Sequence, residues 1–203
     1  LAAKLPRFIA EEYVRGASIG RSFAVLVVAC ALGAAPSVVR PDSAGPMQVE
    51  ASCLVNFSRF MEWPSSAFQN SKAPFVIGIV GRNPFGLDLA LVASRDSAEG
   101  RAIEVRKFGP GDDLHACQIL FIGWPNQKLV MQILTSLNGS SVLTVSDADG
   151  FVNWGGMIEF SQQGERVRFA VNDEVVKHAG IKASSNLLKL ASEVIESART
   201  GTN

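Results

Sequence analysis

The sequence predicts an α/β fold: a single domain on a mostly parallel sheet, with helices on both faces and an antiparallel edge hairpin. Three observations carry this. Apolar runs rich in β-branched residues recur at 74–81, 118–123 and 141–147, as expected of strands buried on both faces. Segments with helical spacing alternate with them, which implies βαβ units. The segment 156–172 reads instead as two strands around Gln163-Gly164, a hairpin that breaks the rhythm.

The elements follow in order. Val49, Cys53, Leu54, Phe57 and Phe60 or Met61 recur at helical spacing, and this helix is expected to stop before Pro64. "PFVIGIVG", residues 74–81, is a buried strand. Asn83-Pro84 reads as the N-cap and first residue of a helix carrying Phe85, Leu89 and Val92. "AIEVRKF", 102–108, alternates as a strand, and "QILFIG", 118–123, is buried. A helix with Leu129, Val130, Ile133, Leu134 and Leu137 on one face ends at Asn138-Gly139. After the strand 141–147 and the hairpin, Asn172 caps a short helix whose first turn holds Asp173 and Glu174, and Gly180 stops it. Ser184 or Ser185 caps a final helix with Leu187, Leu188, Ala191, Val194 and Ile195 inward.

Composition narrows the class. Of 203 residues, 47% are hydrophobic and 19% charged, a globular balance with material for a core. Formal net charge is zero, so no basic excess points to nucleic acid. Arg15 and Arg21 precede the apolar run 22–35, which is as long as a secretory h-region and too short to span a bilayer. Ala31, Gly33 and Ala35 offer cleavage positions. Three readings fit: a cleaved signal peptide, an uncleaved anchor, or a lipoprotein lipidated at Cys30 of "VVAC". The chain is divided into an extension and signal peptide at 1–35, a Pro/Gly linker at 36–46 and a domain at 47–199. Export would permit a disulfide between Cys53 and Cys117, though both could equally be buried thiols.

Candidate chemistry is sparse. The turn at Gly81 and Asn83 could offer amides to an anion, but "GIVGRNPFG" is neither a dinucleotide fingerprint nor a P-loop. His115 and Cys117 would point the same way from an extended segment, with no third ligand in view, so no metal is expected. Ser146 and Asp147 end a buried strand, where open α/β sheets place ligands. No nucleophile elbow surrounds the serine, and a triad would need His115 or His178 to arrive from elsewhere. The plainer reading is a turn, in which Asp147 and Asp149 hold local amides and Gly150 allows a permissive backbone angle. Gly155-Gly156 reads as a bend. Trp63, Trp124 and Trp154 sit at element ends, as core lids or partner anchors. No catalytic residue, cofactor or metal is expected.

Six segments in register then resemble one family: "NFSRFMEWP" (56–64), "IGIVGRNPFG" (77–86), "CQILFIG" (117–123), "VLTVSDADGFVNWGGMIEF" (142–160), "RVRFAVN" (166–172) and "KASSNLLKLA" (182–191). Together, over about 48–195, they are similar to the YfiR family of exported bacterial proteins. The resemblance implies a small α/β fold without known catalysis. It implies a periplasmic regulator that binds the sensor domain of a membrane-bound diguanylate cyclase and holds it inactive. Family members often carry a cysteine where this chain has Gly78, paired with the one matching Cys117; that partner is missing here, as is a second pair near 146–160.

The expected partner contacts are Glu62 and Trp63, and the hairpin residues Glu165, Arg166, Arg168 and Asn172; the charges of Glu165, Arg166 and Arg168 would steer a partner. A homodimer is compatible with this reading. The alternative is a periplasmic small-ligand binder without a cyclase partner, using loops that contain Gly81, Asn83, Ser146, Asp147, Gly155 and Gly156. An exported hydrolase using Ser146 is the third reading.

Overall fold

A computed structural model describes residues 45–164 and 166–196. The leader at 1–35, Cys30, most of the linker, Glu165 and the end of the expected domain lie outside the described residues. No helix among the described residues is long and apolar enough to cross a membrane.

The first helix, α1 (Pro46–Phe60), starts with proline at its first position, where the missing N–H costs nothing. It buries Ala51, Leu54, Val55 and Phe57. It ends at Phe60, earlier than Pro64 alone requires, because β1 (Met61–Glu62) leaves to pair antiparallel with β9 (Lys182–Ala183).

The main sheet has eight strands among the described residues. Its chain order is β2 (Phe75–Gly81), β3 (Ser97–Ala98), β4 (Arg101–Phe108), β5 (Ile119–Gly123), β6 (Leu143–Ser146), β7 (Ile158–Gln163), β8 (Arg166–Asn172) and β10 (Glu193–Ile195). In space the order is β10-β8-β7-β6-β5-β2-β4-β3. The neighbours from β4 through β2, β5 and β6 to β7 are all parallel, while β7 and β8 form the expected antiparallel hairpin.

Period-two alternation sorts the strand side chains into two layers. Ile77, Ile79, Ile119, Phe121, Leu143 and Val145 face the side covered by α1, α2 (Asp88–Ala93) and α5 (Ser185–Leu190). Val76, Val80, Leu120 and Ile122 face α3 (Gln127–Ser136), through its Val130 and Ile133. Aromatic pairs tie the first layer together: Phe85 meets Phe121 edge-on at 4.7 Å, and Phe57 stacks on Phe160 at 5.9 Å. Two of the caps read from sequence, Asn172 and Ser184, are in place, and Asn126 adds one that was not read. Asn126, Asn172 and Ser184 accept from the amides of Leu129, Val175 and Leu187, the second of these opening α4 (Asp173–His178).

Two local expectations fail. No helix starts at Pro84: the Asn83 side chain accepts from Phe85 N–H and donates to the Gly86 carbonyl, closing a turn, and α2 begins only at Asp88. The final helix stops at Leu190, and Val194 and Ile195 belong to β10 instead. That strand pairs parallel with β8 and lies outside the hairpin.

Among the described residues, Cys53 and Cys117 are free. Cys53 packs on the α1 layer and Cys117 within the α3 layer, so the sheet separates them and the pairing left open by the sequence is not made. The segment around Cys117 is a 3₁₀ turn (Leu114–Ala116), not extended chain. His115 therefore faces solvent, with Nδ1 2.9 Å from Asp113, while the Cys117 thiol points inward to the Leu114 carbonyl. Among the described residues no three His, Cys, Asp or Glu side chains gather as a metal set.

Candidate functional site at the strand ends

Chain order places a switch point in the middle of the sheet. After β2 the chain moves outward to β4, then returns to the other side of β2 as β5. Open α/β sheets bind ligands in the crevice this creates at the strands' carboxyl ends. Here the crevice is filled. Arg82 N–H donates to the Gly123 carbonyl at 3.0 Å, extending the β2–β5 pairing past Gly81. The Trp124 ring lies over Gly81, where a Cβ would meet it at 2.4 Å. Across the gap, Arg82 reaches Asp147 at 2.5 Å.

The stretch 147–157 proves to be a crossover. It joins β6 to the parallel β7 through a 3₁₀ turn (Phe151–Trp154) in place of a full helix. Such a short connection needs sharp bends. Gly150 and Gly155 supply them at φ 81° and 96°. Gly156 is needed for space, since a Cβ there would lie 2.2 Å from the Phe151 ring. Sequence reasoning missed the brace: the Glu159 carboxylate accepts from the amides of both Gly150 and Val152 at 3.1 Å. The i+7 and i+9 spacing of these contacts matches no helical or strand period, so no local pattern advertised it.

Ser146 belongs to the same scaffold. It is fully buried, its hydroxyl donates to the Ile122 carbonyl at 2.7 Å, and its oxygen accepts from Ala148 N–H. No histidine is among its partners. Ser146→Ala should therefore cost stability, by about 1–2 kcal/mol in urea unfolding. It should leave cellular output intact where the variant still folds. Loss of output from a folded Ser146→Ala protein would revive the hydrolase reading.

The other expected residues divide into exposed and internal. Glu62, Arg166 and Arg168 are exposed. Trp63 is half-buried: its indole N–H donates to the Gln118 carbonyl at 3.2 Å, and its ring meets Phe75 edge-on at 4.9 Å. Asn172 is buried, and its amide is used inside the protein, capping α4 and donating to the Val152 carbonyl. Trp124 and Trp154 pack partly buried against the α3 layer.

One open feature was not legible in the sequence. A groove of about 660 Å³ lies between Met131, Leu134 and Thr135 of α3 and Lys177 and His178 of α4, with Trp154 in its lining. These residues are distant in sequence and meet only because the crossover carries the chain past α3.

The site is thus a plugged switch point beside a braced crossover, in a doubly covered α/β sheet. Its lineage comes from comparison: the YfiR/HmsC-like family model matches residues 47–192, and the chain belongs to that family. The family is regulatory rather than catalytic, and its members are periplasmic and act in diguanylate cyclase signalling.

Proposed function

We propose that the protein is an exported regulator that binds the periplasmic sensor domain of an inner-membrane diguanylate cyclase and represses it, lowering cyclic di-GMP. The observation that carries this beyond family membership is the strand-end architecture. Polar groups where a ligand or nucleophile would sit are consumed in bracing the crossover, which leaves a stiff surface rather than a reaction cleft. Repression requires only that this surface bind the inactive sensor conformation more tightly than the active one.

The contact surface combines Glu62 and Trp63 with the hairpin residues Glu165, Arg166 and Arg168. Asn172 supports it by fixing the hairpin to α4 and the crossover. Reversing Arg166 and Arg168 to Glu is expected to slow association and weaken the complex at least tenfold at low salt, with a smaller change at high salt. Affinity unchanged at low salt would remove the hairpin from the surface.

The test of function is cellular cyclic di-GMP in a clean deletion, complemented with exported and signal-less copies. A rise on deletion, reversed only by the exported copy, is expected. No change would favour the second reading, a periplasmic small-ligand binder, which the α3–α4 groove supports. Its own test is a thermal-shift panel of small anions, nucleotides and amino acids.

A further inference from the structure

Glu50 is only 4% exposed, on the inward face of α1, and its Oε2 has no hydrogen-bond partner. A buried carboxylate is costly unless paired. Its charged neighbours are Asp147, beyond β6, and Arg82, beyond β2. Arg82 is already engaged with Asp147. An ionised Glu50 would therefore leave two carboxylates sharing one guanidinium. Burial first, and Asp147 second, push the Glu50 carboxyl up to about 7, against the opposing pull of Arg82.

Other charges around the helix do not relieve it. Arg59, at the far end of α1, is engaged with Asp96. α2 offers only the acidic Asp88 in its first turn. On β8, Arg166 and Arg168 are exposed, and Asp173 just beyond the strand pairs with Lys177. Within α1 itself, Cys53 sits one turn from Glu50, and its thiol is pushed up by burial and by Glu50.

The start of α1 is the part able to respond. Gly45, its N-cap, makes no side-chain capping bond, so the first turn is closed only by the Gln48 and Val49 amides on the Gly45 carbonyl. We propose that Glu50 is a proton switch on the docking of α1: protonated, it lets the first turns lie against the strand-end loops; ionised, it drives them off. The switch belongs to the fold, and stands whether or not a cyclase is the partner.

The sign follows from linkage. The folded carboxyl keeps its proton to about 7, above the ordinary 4.5 of a free one. The docked state therefore binds more protons between those two values. Docking is firmest below the lower value, weakens as pH rises through the interval, and levels off above the upper one.

The test is alkylation of Cys53 by iodoacetamide in the full chain, followed by peptide mapping, in wild type and Glu50→Gln at pH 5.5 and 8. The wild-type-to-variant rate ratio, corrected for the Cys53 thiolate fraction of each protein, is expected to rise about tenfold or more between the two. A ratio that does not change overturns the proposal. Should Glu50→Gln not fold, hydrogen exchange on the wild type decides. After correction for intrinsic rates, α1 protection should fall about tenfold or more relative to β2 over the same range. Parallel behaviour of the two elements would again overturn it.

Discussion

Gly123→Ala is expected to destabilise the domain by about 3–5 kcal/mol, as much as a severe core mutation. Gly123 ends β5 opposite Gly81, and an added Cβ would lie 2.0 Å from the Arg82 carbonyl oxygen. The obstacle is backbone, so no rotamer change relieves it. Arg82 is also held in place twice, by its N–H bond to the Gly123 carbonyl and by its side chain on Asp147. The methyl must separate the ends of the two central strands and break that bond. Gly139→Ala is the comparison. Gly139 has φ 74° but no atom within 4 Å of its absent Cβ. Its cost is backbone strain alone, about 1–2 kcal/mol. Urea unfolding of both variants checks the ranking, and a Gly123→Ala protein as stable as Gly139→Ala would refute the close approach.

Gly78→Cys is expected to create a disulfide with Cys117 and to invert in sign with redox state. A Cβ at Gly78 would lie 3.0 Å from the Cys117 sulfur. That is roughly the Cβ-to-distal-sulfur distance set by disulfide bond lengths and angles. The family resemblance places a cysteine pair at these positions, and the geometry that would hold it persists here without the second thiol. Closing the loop between 78 and 117 is worth about 4 kcal/mol in the chain-entropy account. Phe108 opposes this, because its ring would lie 2.7 Å from the new Cβ and must shift, at about 1–3 kcal/mol. The oxidised variant should be more stable than wild type and the reduced one less. Burial pushes the Cys117 thiol up to about 12, so the bond should form during oxidative folding, not in the finished protein. Denaturation with and without reductant, alongside a free-thiol count, tests it. Two free thiols at 78 and 117 after oxidative folding would exclude the pairing.

The fold was legible where burial imposes a pattern. The runs at 74–81, 118–123 and 141–147 have few alternatives to buried strands, and Asn172 and Ser184 announce helix starts. It was illegible where one signal serves two structures. Asn83-Pro84 suits a helix cap and a closed turn alike, and only the Gly86 carbonyl decides. Leu187, Leu188, Ala191, Val194 and Ile195 fit a helical face, yet Phe169 takes the Ser192 amide and turns the chain into β10. At Ser146 and Asp147 the sequence left a turn and a ligand loop both open, with the turn the plainer reading, because burial and partners are tertiary facts; in the structure Ser146 is buried and bonded to Ile122 and Ala148. Glu50 drew no notice, since a glutamate in the second turn of a helix usually faces water.

The pairing of β1 with β9 bears on the order in which the molecule assembles. It joins residues 61–62 to residues 182–183, and the Ser184 amide adds a bond to the Phe60 carbonyl. So distant a contact costs loop-closure entropy before it returns any stability. The central parallel strands, nearer in sequence, have less to overcome. The end of α1 is therefore among the last parts of the described fold to be fastened. Until the segment at 182 arrives, β1 has no strand partner.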